Sequence, residues 1–213
     1  MMAKIKEMSY EEKCSQLIAN MKFDESFILP LVRENLGDQA VDELKKSWET
    51  GLKPIPNDAS FESNYEITYG NWIWMAKKAY NFIRIRMGEK GIEKFDRTEV
   101  EGLKRKNSGP AVLLLGVIRM FSPDTAFTMT AKQMAYQLQW LTPFSVSQLD
   151  RDKVVFDIPR CKIIDYPETE DICMVGCQKT YPAWVAEQFK VKMEFNRQGN
   201  SCTCTLTPLK SIR

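Results

Sequence analysis

Apolar residues recur at helical spacing through the first half of the chain and alternate with polar ones through much of the second. Leu17, Ile18 and Met21 follow Cys14 at helical spacing, and Ser9 with Glu12 three residues on has the pattern of a capping box. Asp24 is expected to cap a second helix through "ESFILPLVRENLG", which Gly37 would end. "DQAVDELKKSWETG" makes a third, with Val41, Leu44 and Trp48 on one side. "LKPIPNDASFESN", rich in Pro, Asn and Ser, reads as a linker. A long stripe then runs through Tyr69, Trp72, Ile73, Ala76, Tyr80, Ile83 and Met87, with Gly88 as its stop. Trp74 and Phe82 make that helix apolar nearly all round, as a central helix would be. "SGPAVLLLGVIRMFS" is expected to form another buried helix.

The period then changes from helical to alternating. In "FSVSQLDRDKVVFDI" a three-residue loop over Asp150 to Asp152 would pair Val146 with Phe156 and Phe144 with Ile158, placing all four on one face. Farther on, Val191, Met193 and Phe195 alternate with charged residues, and Cys202, Cys204 and Leu206 alternate with threonines. A turn centred on Gln198-Gly199 would pair Phe195 with Cys202, Met193 with Cys204 and Val191 with Leu206. Both cysteines then point into the apolar side of a sheet. The fold expected is α+β: a helical N-terminal half, then an antiparallel sheet of at least four strands with the "TYPAWVAEQF" helix packed on it. Residues 1–60 are expected as a helical arm and 61–213 as the α+β domain.

Composition narrows the chemistry. At 213 residues the chain can bury a real core without disulfides. A net charge of +2, with acids and bases interleaved, reads as a solvated surface and not as a nucleic-acid footprint. The most apolar stretch, Pro110 to Phe121, is too short to cross a bilayer and contains Arg119. The N-terminus has no apolar run or small-residue cleavage site, so the expectation is a cytoplasmic protein with reduced thiols. The chain has no histidine, which excludes Ser-His and Cys-His nucleophile pairs and every histidine-ligated metal site.

Five of the six cysteines fall between Cys161 and Cys204, a window of 44 residues. Three readings compete. As ligands, Cys161, Cys173, Cys177 and Cys202 or Cys204 could hold zinc or an iron–sulfur cluster, although C-x3-C and C-x-C are not the usual knuckle spacings. As a nucleophile, Cys177 is best placed, with Gly176 before it, Lys179 after it and a helix expected to start near Tyr181-Pro182, capped by Thr180. Asp165, Glu168, Glu170 and Asp171 lie close by in sequence to handle protons. As small core residues, Cys202 and Cys204 would simply fill the sheet's apolar face.

"RCKI" after a strand, the pair in "CMVGC", the segment "YPAWVAEQF" and a closing Gly-x-x-Cys hairpin ending "CTCTLTP" together carry a resemblance. With them goes the helix "NWIWMAKKAYNFIRIRMGEKGIEKF". Over Tyr65 to Pro208 the chain resembles the L-2-amino-thiazoline-4-carboxylic acid hydrolase-like family and, more distantly, 4-vinyl reductase-type small-molecule-binding domains. The resemblance implies an α+β pocket for a small organic ligand and, in the hydrolase branch, opening of a cyclic amidine-like ring by water.

The expectation is therefore a cysteine-dependent hydrolase of a C–N bond in a small cyclic or amide-like substrate. Cys177 would be the nucleophile and Cys173 or Cys161 a helper; Trp72, Tyr136, Trp140 and Cys204 would line the substrate's wall. The alternative is a non-catalytic protein that holds a small molecule or a metal through the cysteine cluster. A homodimer through the N-terminal helices is a further expectation, and neither nucleic acid nor membrane is an expected partner.

Overall fold

The computed structural model describes residues 5–209; the outer ends of the two expected units, 1–4 and 210–213, lie outside the described residues. Six helices precede or flank a four-stranded antiparallel sheet, the α+β arrangement expected. Helix α1 spans Tyr10–Leu36 and opens on the predicted capping box: Ser9 Oγ accepts from Glu12 N at 3.1 Å and Glu12 Oε2 accepts from Ser9 N at 2.8 Å. It does not break at Asp24. Leu17, Met21, Asp24, Ile28 and Leu31 share one helical phase, so the two expected helices are one, and Gly37 ends it at φ +85°. Helix α2 follows over Asp38–Glu49, burying Val41, Leu44 and Trp48 as expected.

Helix α3, Phe61–Lys106, is the spine of the fold. Gly88 was expected to end it but instead kinks it, taking φ +66°, after which the helix resumes in a new direction. Leu17, Phe27, Ile28 and Val32 of α1 share one core with Tyr69, Ile73, Ile83 and Phe95 of α3 and with Phe156 and Leu206 of the sheet. Residues 5–60 are thus built into the body and do not stand off as an arm. Most of their apolar residues are used internally, although Ile18 stays 41% exposed.

Helices α4 (Pro110–Phe121) and α5 (Pro123–Leu138) form a hairpin. The expectation that α4 is buried is overturned: Leu115 alone is buried in it, while Leu113, Met120 and Phe121 are 71, 80 and 83% exposed.

Strands β1 (Ser145–Leu149), β2 (Val154–Ile158), β3 (Val191–Gln198) and β4 (Ser201–Pro208) order as β1-β2-β4-β3. In the first hairpin Val146 does face Phe156, but by a different route. The loop closes one residue later than expected, Asp150 N donating to Lys153 O at 2.8 Å, and a bulge at Ser147 takes up the extra residue. Phe144 lies outside the strand and still stacks edge-on against Phe156, centroids 5.3 Å apart. In the second hairpin the turn is Gly199-Asn200, with Gly199 at φ +60°. Phe195 therefore faces Cys204 and Met193 faces Leu206, two residues along from the expected register. The faces are unchanged, because a shift of two preserves the strand's alternation.

Candidate functional site

One helix runs over 170–189, where the sequence suggested a loop followed by a helix. Its first part, Ile172–Thr180, is wound as a π-helix, and α6 (Tyr181–Phe189) continues it with regular α geometry. Tyr181 N donates to Gly176 O, the five-residue step of the wide winding. Thr180, expected as a cap, lies inside the helix and donates its hydroxyl to Asp96 on α3. Segments of π-helix frequently mark functional positions because the wide turn re-aims side chains. Here the segment carries Cys173, Gly176 and Cys177 onto three adjoining cavities.

The largest is a chamber of about 230 Å³ between α1, the end of α3, α5, α6 and β3. Met134, Trp140, Trp184, Phe189, Met193 and Phe195 give it an apolar wall. Gln16, Asn20, Asn107, Gln133 and Gln137 supply amides, and Gln133 and Lys106 are exposed, so the chamber reaches the surface. A recess of about 50 Å³ opens beside it, sharing Asn20, Leu103, Leu141, Cys177 and Tyr181 with the chamber. Asp24 and Glu99 line this recess. The third cavity, about 20 Å³, is bounded by Cys161, Cys173, Cys177 and Cys202 with Leu141, Ile158 and Ile163. Cys177 borders all three.

The predicted wall residues divide. Trp140 lines the chamber and Trp72 the recess, and their rings meet edge to face at 5.1 Å and 85°. The backbone after α5 is held there by Tyr65, whose hydroxyl donates to Trp140 O at 2.9 Å, and by Tyr69, which donates to Leu141 O at 2.8 Å. Tyr136 is not part of this wall. It points to the other side of α5, into a separate hollow with Met8, Glu11 and Glu12. Cys204 is wholly buried within the sheet opposite Phe156 and Phe195, and lines none of the cavities described above. It is a core residue, as one reading of its alternation held.

The electrostatics at Cys177 differ from those expected. The helix start lies near residue 170, about two turns upstream, and Lys179 is exposed, so neither a helix N-terminus nor that lysine stabilises a thiolate. Burial pushes the Cys177 thiol well above its ordinary range, and Cys173 and Cys161 add to the shift. Burial likewise raises Cys161, opposed by the N–H groups of Ile163 and Ile164, and takes Cys202 up to about 11. Three of the four acids near it in sequence are engaged elsewhere, Asp165 with Arg160, Glu168 with Lys77 and Asp171 with Arg84, and Glu170 is exposed.

The cysteine cluster does not fit a metal. Four thiols do converge, but on a small cavity walled by Leu141, Ile158 and Ile163. Among the described residues no three Cys, Asp or Glu side chains are disposed to hold an ion.

The recess contains the groups that sequence reasoning missed. Asp24 Oδ2 accepts from Trp72 Nε1 at 3.0 Å; burial raises its carboxyl to about 7, against the lowering effects of Trp72 and Lys106. Glu99 is 8% exposed and has no hydrogen-bond partner among the described residues. Burial pushes it well above the ordinary carboxylate range, and Asp24 and Asp96 push it further. Tyr80 and Tyr181, raised by burial and then by Glu99, keep their hydroxyl protons. Two carboxyl groups in one apolar recess cannot both ionise readily, so at neutral pH the pair holds at least one proton. The signal for them was available: Glu99 sits in phase with Ile92, Phe95 and Leu103, and Asp24 in phase with Leu17, Ile28 and Leu31. An acid on the apolar stripe of a helix is costly and calls for a reason.

No family model matches the chain, and no curated protein is similar enough to it to be matched.

Proposed function

We propose that this protein binds a small organic molecule in the chamber bounded by α1, α3, α5, α6 and β3. The observation that carries the reading is the chamber itself: aromatic and methionine side chains from α5, the segment after it, α6 and β3 wall it, with amides at its rim. Apolar walls with a few placed polar groups are the usual construction of a ligand site. All six cysteines are unpaired, which suits a reducing compartment such as the cytoplasm.

A second reading, hydrolysis of a C–N bond with Cys177 as nucleophile, draws on that thiol's position at the chamber wall. It needs a base or a cation to ionise the thiol, and the thiol's surroundings raise its pKa. Binding is therefore the better supported of the two. A thermal-shift screen of small amines, acids and aromatic compounds tests it. A ligand at a hundred times its Kd stabilises by about 2.7 kcal/mol, so one class should raise Tm by roughly 5–10 °C. Gln137→Trp, which fills the chamber from its rim, should abolish the shift. Stabilisation of both proteins alike, or of neither by any class, overturns the reading.

A further inference from the structure

We infer that the recess behind the chamber is a site for the ammonium group of an amine ligand, held by Asp24 and Glu99 among aromatic faces. The inference rests on the chamber being a ligand site and specifies which end of the ligand enters first.

Four observations converge on it. Glu99 is more than nine-tenths buried, lines the recess and has no protein partner among the described residues. Asp24 comes to the same recess from the facing helix, fixed by Trp72 through one of its two oxygens, so the other is available. Phe23, Phe27, Trp72, Tyr80 and Phe95 also line it, and aromatic rings attract a cation. Finally, no lysine or arginine lines the recess. Lys106 stands at the chamber side, 4.7 Å over the Phe23 ring and bonded to Asn20 Oδ1 at 3.2 Å, and makes no ion pair with Asp24 among the described residues. An anion would meet two carboxyl groups here and be repelled. A neutral guest would leave the pair in its protonated form. A primary ammonium brings three donors and a positive charge that favours the ionised acids.

Space agrees with this. Gly176 on the π-helix faces the recess, and a Cβ there would come within 3.7 Å of the Tyr80 hydroxyl, so any larger side chain would intrude on the recess. The charged and titratable groups around the pair are Asp96 and Lys106 on α3, the Tyr80 and Tyr181 hydroxyls and the Cys177 thiol on the π-helix. A bound ammonium favours the ionised acids, so binding releases protons and weakens as pH falls.

Calorimetry with 2-phenylethylamine and 2-phenylethanol, equal in size and different in charge, tests the inference. At about pH 8 the amine is still cationic. The wild-type protein should bind the amine roughly tenfold or more tightly than the alcohol. Glu99→Gln should erase that preference, and a melting temperature close to that of the wild type shows that the variant is folded. Gly176→Val should weaken the amine by steric filling alone. Lowering the pH to about 6 should weaken the amine and not the alcohol. Equal affinity for the two probes, or an amine affinity indifferent to Glu99→Gln, overturns the ammonium site and leaves the chamber intact. Binding of neither probe overturns it too, and the thermal-shift screen then decides separately whether the chamber takes another class of ligand.

Discussion

Trp72 on α3 donates its indole N–H to the Asp24 carboxylate on α1, at 3.0 Å, across the interface of the two longest helices. The bond satisfies one oxygen of an acid that burial disfavours as an anion. Folding therefore favours the neutral acid, and the cost of Asp24 rises as it ionises. Raising a carboxyl from 3.8 to about 7 corresponds to at most ~4 kcal/mol. The penalty is absent below the unfolded value and complete above the folded one. Asp24→Asn, which can still accept from Trp72, should melt several degrees higher than wild type above about pH 7 and no higher below about pH 4. Melting curves across that range check it. An Asn variant that is less stable at high pH would show that Asp24 is ionised and paired.

The Cys177 thiol should be slow to react. With burial holding Cys177 in its protonated form, iodoacetamide at neutral pH should label it at least ~10-fold more slowly than in the denatured chain. Peptide mapping of a labelling time course gives the rate directly. Rapid, selective labelling of Cys177 in the folded protein would restore the nucleophile reading.

Gly51 should not tolerate a side chain. A Cβ there would lie 2.1 Å from the Trp74 ring, whose indole N–H donates to Trp48 O at 3.0 Å. Gly51→Ala must displace that ring and break its hydrogen bond, a loss of about 1–3 kcal/mol in denaturant unfolding. A neutral outcome would mean that the turn after α2 rearranges freely.

The exposed face of α4 makes an opposite prediction. Met120→Gln and Phe121→Gln should each change stability by no more than about 0.5 kcal/mol, since those side chains contribute little to the core. Losses above about 2 kcal/mol would place α4 inside the protein, where its composition alone suggested.

These cases show what could be read from the sequence. Alternation put Cys202 and Cys204 on the sheet's apolar face, and a two-residue slip in the register could not change that. The first hairpin's pairing of Val146 with Phe156 emerged although its loop was longer, because the bulge at Ser147 offsets the extra residue. Period cannot announce such compensation. The run Pro110 to Phe121 is apolar in either environment, so composition could not say that α4 would face outward. Convergence of Cys161, Cys173, Cys177 and Cys202 was suggested by clustering, but the π winding that carries two of them has no spacing of its own. Asp24 and Glu99 are far apart along the chain and meet only because α1 lies along α3.

The most direct test of the ligand chamber is to compare native and denatured masses of the purified protein and of Gln137→Trp prepared alongside it. The account predicts an excess of small-molecule mass on the wild-type protein that disappears on denaturation and is missing from the variant. No excess on either, or the same excess on both, would contradict a ligand held between α1, α5 and β3.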